Sequence, residues 1–160
     1  MIVDERIVTF INSLDTKNSE LLETIEAEAR AADVPIIRRE MQSFLKVLLM
    51  MKNPKRILEV GTAVGFSALL MIESVSENCH ITTIENYEKR IPIARENFRR
   101  AGKAQQITLI EGDAAEVMKT LDAPYDFIFM DAAKGQYIHY LPDALRLPCD
   151  GGVLVSDNVM

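Results

Sequence analysis

The feature that most limits how this chain can fold is a rhythm that begins at Arg56. Short apolar runs alternate with segments of helical spacing, and every run stops at a glycine or a polar residue. The runs are Ile57–Val60, His80–Glu85, Ile107–Ile110, Phe127–Met130 and Val153–Ser156. Five strands alternating with helices indicate a parallel sheet covered on both faces. Right-handed crossovers leave such a sheet few topologies. The intervening helices are expected at Phe66–Glu77, Tyr87–Ala101, Ala114–Leu121 and Gly135–Leu147. Pro92 means that the second of these starts late or is kinked, and Pro142 marks a restart within the last.

Three helices are expected before the first strand. Asp4–Leu14 carries Ile7, Phe10, Ile11 and Leu14 on one face; Asn18 or Ser19 caps a second helix, with Leu21, Leu22, Ile25 and Ala29 on its face. Asp33-Val34-Pro35 breaks that helix, and Arg38–Met51 reads as a third. No repeat, linker or low-complexity tract interrupts the chain, so residues 1–52 form a helical region and 53–160 an α/β part of one domain.

In parallel sheets ligands bind outside the carboxyl ends of the strands. Here those ends are Gly61, Glu85, Asp113, Asp131, and Asp157 with Asn158. One strand-end carboxylate is ordinarily a cap or turn residue. Carboxylates at four ends of one rim point to a functional site. The stretch Arg56–Ser67 turns at Gly61 into a helix near Gly65, which aligns backbone N–H groups with a helix dipole. An ordinary strand-to-helix connection has the same outline. The pattern is Gly-x-x-x-Gly, with Ala63 where the dinucleotide fingerprint has its second glycine.

Glu85 lies 24 residues beyond Gly61, near the position from which an acid holds ribose hydroxyls; it could equally cap the next helix. Asp113 could accept from an adenine amine, or cap the helix at Ala114. Asp131, Asp157 and Asn158 offer three hard oxygen ligands at neighbouring strand ends, suited to magnesium or calcium, unless the last two form a simple turn. Lys134 follows Asp131 closely, and a divalent cation would disfavour its ammonium form. His80 and His139 are left without a role.

The chain has 160 residues, 48% of them hydrophobic and 26% charged, with a net charge of −6. That balance offers nucleic acid no bulk attraction, and only Arg95, Arg99, Arg100 and Lys103 form a basic cluster. Cys79 and Cys149 make no metal or redox pattern. No apolar run approaches membrane-spanning length and the N-terminus lacks a signal-peptide core, so a cytoplasmic protein is expected.

These motifs together resemble the class I S-adenosylmethionine-dependent O-methyltransferases of the catechol and caffeoyl-CoA type. The resemblance runs from about Met41 onward: Ile-Leu-Glu-Val-Gly-Thr-Ala-Val-Gly-Phe-Ser, Thr-Ile-Glu85, Glu-Gly-Asp113-Ala114, Met-Asp131-Ala-Ala-Lys134-Gly-Gln-Tyr and Ser-Asp157-Asn158-Val. Val-Pro-Ile and Asp-Ala-Ala-Lys-Gly-Gln-Tyr look most like the bacterial branch that methylates 5-hydroxyuridine at the tRNA wobble position. The resemblance implies a Rossmann-like sheet of order 3-2-1-4-5. It implies that Met41, Gly61 and Ser67 serve the methionine part of S-adenosylmethionine, Glu85 its ribose, and Asp113 and Ala114 its adenine, with Glu59 also among the cofactor-binding residues. Asp131 would serve both cofactor and metal. It would hold magnesium with Asp157 and Asn158, while Lys134 deprotonates the acceptor. The acceptor would be tRNA or a small hydroxylated aromatic, and the protein a homodimer. The family normally continues for two more strands, which this chain lacks, so a fragment is expected. A nicotinamide oxidoreductase or a non-catalytic binding module are the competing readings.

Overall fold

The computed structural model describes residues 4–14, 16–122, 124–132 and 134–157, with only the backbone of Lys134. In chain order the elements are α1 (Glu5–Ser13), α2 (Glu20–Ala31), α3 (Arg39–Lys52), β1 (Arg56–Val60), α4 (Phe66–Glu73), β2 (His80–Glu85), α5 (Ile91–Arg100), β3 (Ile107–Glu111), α6 (Ala114–Thr120), β4 (Tyr125–Met130), α7 (Tyr137–Arg146) and β5 (Pro148–Ser156). A short 3-10 turn, Lys134–Gln136, leads into α7.

All four strand pairings are parallel and the order is β3-β2-β1-β4-β5, as expected. Side chains alternate across each strand, and the two faces are covered by different helices. Ile57, Ile81, Ile107, Phe127 and Phe129 pack with Leu22, Leu45, Leu69 and Phe98 from α2–α5. Leu58, Val60, Ile128 and Met130 pack with Met118, Tyr140 and Ala144 from α6 and α7. Burial on both faces explains why the strands read as unbroken apolar runs. One exception stands out: Glu59, fully buried in the middle of β1, on the face covered by α4.

Several boundaries differ from the sequence expectation. α5 begins late, at Ile91, placing Pro92 in its first turn, where no intrahelical N–H is needed. α4 ends at Glu73 instead of Glu77, where the Ser74 hydroxyl donates to Leu70 O at 2.7 Å. Pro142 causes no restart, since α7 runs through it. Proline there has no N–H to donate back to residue 138, which lies on the exposed side of the helix. β5 starts earlier, at Pro148, because it follows β4 past a register shift at Tyr125/Phe127. No described helix is long and apolar enough to cross a membrane.

Candidate active site

The ladder of the sheet continues past its strands and gathers their ends. Gly61 and Thr62 donate to Ile84 O, Gly112 to Glu85 O, Asp131 to Val60 O, and Asp157 to Met130 O, over 2.9–3.2 Å. At Gly61, with φ +101°, a Cβ would overlap the backbone carbonyl of Asp131. Only glycine lets the ends of β1 and β4 come this close. Above this rim lies a cavity of about 1120 Å³, slightly larger than most small-molecule sites. Of the residues marked out in the sequence, Met41, Gly61, Ser67, Glu85, Asp113, Ala114, Asp131 and Asp157 all line it. Asn158 lies outside the described residues, as does the side chain of Lys134.

Two alternatives at the rim turn out to be compatible. Glu85 does cap its turn: Oε1 accepts from the N–H of Asn86 at 2.9 Å and of Tyr87 at 2.8 Å. Its other oxygen accepts from Ala63 N at 2.7 Å, which fastens the glycine loop to the end of β2. A carboxylate has about four lone-pair sites, so one remains for a ligand hydroxyl. Asp113 caps α6 through Oδ1, accepting from Ala115 N at 2.9 Å, and still borders the cavity.

Glu59, which the resemblance counts with the cofactor residues, is set apart from the others in the structure. It does not line the cavity but sits beneath it, 2.5 Å from the hydroxyl oxygens of Ser67 and Thr83. Burial pushes its carboxyl up to about 8; the hydroxyls oppose this, and the negative charges of Asp131 and Glu85 add to it. Glu59 therefore meets the cavity through other side chains: directly behind Ser67, and more remotely through Thr83 and Thr62.

The far wall comes from the connector between α2 and α3, through Pro35, Ile36, Ile37 and Arg38. A buried amide holds it. Gln42 Nε2 donates to Ile37 O at 2.9 Å, and Gln42 Oε1 accepts from Asn18 Nδ2 at 2.8 Å. Lys46 Nζ donates to Asn18 Oδ1. Tyr137 is a second residue that sequence reasoning missed. Its hydroxyl donates to Asp157 O at 2.8 Å, lies 3.3 Å from Met130 O, and accepts from Ala132 N at 3.3 Å. One phenol thus pins together the strand ends that bear Asp131 and Asp157. The only sequence signal for it was its place in a motif.

The basic cluster on α5 is largely matched by nearby acids. Arg95 pairs with Glu111 at 2.6 Å, Arg99 with Glu96 at 2.7 Å and Arg100 with Glu28 at 2.7 Å. Lys103 donates to Gln106, at the start of β3 and so at the end of the sheet away from the rim. Among the described residues no group of three His, Cys, Asp or Glu side chains could hold a metal ion.

The chain is similar to known proteins in sequence and fold. The chain is 32% identical to a catechol O-methyltransferase of Mycobacterium tuberculosis over 94% of its own length and 70% of that protein's. It is 31% identical to a caffeoyl-CoA O-methyltransferase of Populus kitakamiensis over 73% of its own length, and spans about half of that protein, 52%. An O-methyltransferase of Bacillus cereus, solved with SAH, superposes with a TM-score of 0.86 at 28% identity, covering 96% of this chain and 72% of that one. Together with a match to the O-methyltransferase family across residues 12–160, the fold and rim establish that the chain belongs to that family.

Proposed function

We propose that the cavity binds S-adenosylmethionine and that the protein is a divalent-metal-assisted O-methyltransferase acting on a small hydroxylated aromatic. The observation that carries this reading is the cavity lining: one rim brings together acids from the ends of β2, β3, β4 and β5 beside a glycine turn. In this reading Glu85 takes a ribose hydroxyl, Asp113 and Ala114 take the adenine edge, and Gly61, Ser67 and Met41 border the methionine part. When bound, the cofactor supplies a methyl group on a sulfonium; the acceptor oxygen gains it, the thioether S-adenosylhomocysteine leaves, and the acceptor's proton goes to a base. The acids of the rim favour the positively charged reactant over the neutral product, and the connector wall keeps water from the reacting atoms.

Asp131 and Asp157 at adjacent strand ends fit a hard divalent ion in donor chemistry, and Asn158 would complete the protein ligands. Magnesium there would stabilise the acceptor as its oxyanion and leave coordination positions for acceptor oxygens. Lys134 would take the acceptor's proton. Tyr137 keeps the two acids in register through the backbone. The acid-matched cluster on α5 gives a tRNA backbone little to hold, which favours a small acceptor over the wobble-base substrate. The exposed apolar residues Phe10, Leu14, Met50 and Met51 on and beside α1 and α3 support a homodimer.

The test is a methyl-transfer assay with labelled S-adenosylmethionine and magnesium, offering catechol beside tRNA that contains 5-hydroxyuridine. Label in the catechol, lost with chelator and with Lys134→Ala, is the expected result. Label confined to the tRNA would keep the mechanism and replace the acceptor. Label in neither, with a folded protein, would contradict the enzyme reading.

A further inference from the structure

The buried Glu59 carboxyl belongs to a line of hydroxyls whose protons can be counted. Ser67 Oγ lies 2.5 Å from Oε1, Thr83 Oγ1 lies 2.5 Å from Oε2, and Thr62 Oγ1 lies 2.5 Å from Thr83 Oγ1. The order is Ser67, Glu59, Thr83, Thr62, joined by those three links. With Glu59 ionised, three hydroxyl protons fill three links. Ser67 then donates inward and turns only lone pairs to the cavity. With Glu59 protonated there are four protons for the same three links, and one must leave the line at an end.

The two ends are not equal. Both end residues line the cavity, but Thr62 is only 1% exposed against 9% for Ser67, and among the described residues the Thr62 hydroxyl meets only Thr83. A proton leaving there would be a buried donor with no acceptor among the described residues, the costlier of the two ends. Ser67 borders the cavity, in the first turn of α4. The extra proton therefore leaves at Ser67: Glu59 donates to Ser67 Oγ, and the Ser67 O–H is turned outward. We propose that the proton on Glu59 sets the sense of the Ser67 hydroxyl, so that this end of the cavity donates to a ligand carboxylate while the proton is present and ceases to once it is lost.

The inference rests on the cofactor reading above, in which Ser67 borders the methionine part, and it assigns that part's carboxylate to the Ser67 hydroxyl. The helix dipole at the start of α4 favours an anion at the same point. The groups that act on Glu59 are the hydroxyls of Ser67 on α4 and Thr83 on β2, and the carboxylates of Asp131 and Glu85 at the ends of β4 and β2. Both carboxylates, like burial, hold the proton on, to about pH 8. Glu59 touches no ligand in this account; it is a positioning residue that acts through Ser67.

The test compares two ligands on two proteins in chelator-treated buffer, by equilibrium binding. S-Adenosylhomocysteine carries the carboxylate and no sulfonium; 5′-methylthioadenosine lacks the amino-acid carboxylate. Glu59→Gln keeps a donor toward Ser67 and an acceptor for Thr83 at every pH. The ratio of wild-type to variant dissociation constants cancels the titration of the ligand's own amine. For S-adenosylhomocysteine that ratio should be level from about pH 6 to 7.5 and then rise toward tenfold per pH unit above the Glu59 transition. For 5′-methylthioadenosine it should stay flat. Should Glu59→Gln fail to fold, Ser67→Ala serves instead: calorimetric proton uptake on binding S-adenosylhomocysteine near pH 8 should be smaller in that variant than in the wild type. A flat ratio for S-adenosylhomocysteine, an equal rise for both ligands, or unchanged proton uptake overturns the inference and leaves the cofactor reading standing. Binding of neither ligand by folded wild-type protein at any pH overturns both.

Discussion

Ala63 and Glu59 carry the two residue-scale departures from an ordinary α/β turn. Ala63 occupies the left-handed region at φ +46° and donates its N–H to Glu85. A Cβ in that region costs roughly 1 kcal/mol that glycine does not incur. Ala63→Gly is expected to leave ligand binding intact and to raise the urea midpoint by up to about 1 kcal/mol of stability, less whatever glycine's freer unfolded chain takes back. A loss of more than that would show that the methyl group packs favourably.

Glu59 makes a pH prediction whose sign is fixed. Its carboxyl is raised from 4.5 to about 8 by burial, so between these values the folded state holds a proton that the unfolded state has lost. Stability from this group is complete below about 4.5, falls as pH rises to about 8, and is level above that, by at most about 1.4 kcal/mol per unit. Thermal melts from pH 5 to 9 should therefore show the wild type losing ground to Glu59→Gln up to about pH 8 and holding level above it. Parallel curves would mean that Glu59 is ionised throughout. Neither residue's role was legible in advance. A lone acid in an apolar strand shows that something unusual is buried, but Ser67 and Thr83 become its partners only through the β1–β2 register and the docking of α4.

At the scale of elements, the connector between α2 and α3 depends on one buried amide. Gln42→Leu removes two hydrogen bonds and leaves the Ile37 carbonyl and the Asn18 amide without their partner. About 1–3 kcal/mol of stability should be lost, read by denaturant titration, and cofactor affinity should fall with it because Ile36, Ile37 and Met41 wall the cavity. Unchanged affinity would show that this wall does not touch the ligand. Strand positions were readable because burial on both faces writes them as apolar runs. Helix ends were less so. Pro142 reads as a restart point, yet α7 continues through it, with residue 138, one turn back, on the exposed side. The expected strand begins at Val153, and only pairing of Pro148 with Tyr125 across the register shift carries β5 back to Pro148.

Across the whole molecule, parallel strand direction alone brings acids from four strand ends to one rim, which is why most of the site could be named from the sequence. What could not be read were the groups that hold the rim from below and behind: Glu59, Gln42 and Tyr137 act through other residues and carry no motif of their own chemistry. The same logic removes the basic cluster from the site, since α5 runs back from the rim and its arginines find acids along the way. The central claim is that the rim binds S-adenosylmethionine, and an equilibrium titration with S-adenosylhomocysteine tests it most directly. The account predicts saturable one-to-one binding by the folded chain, weakened at least about tenfold by Glu85→Ala through loss of a charge-assisted hydrogen bond. Absence of saturable binding to wild-type protein that melts cooperatively would contradict it.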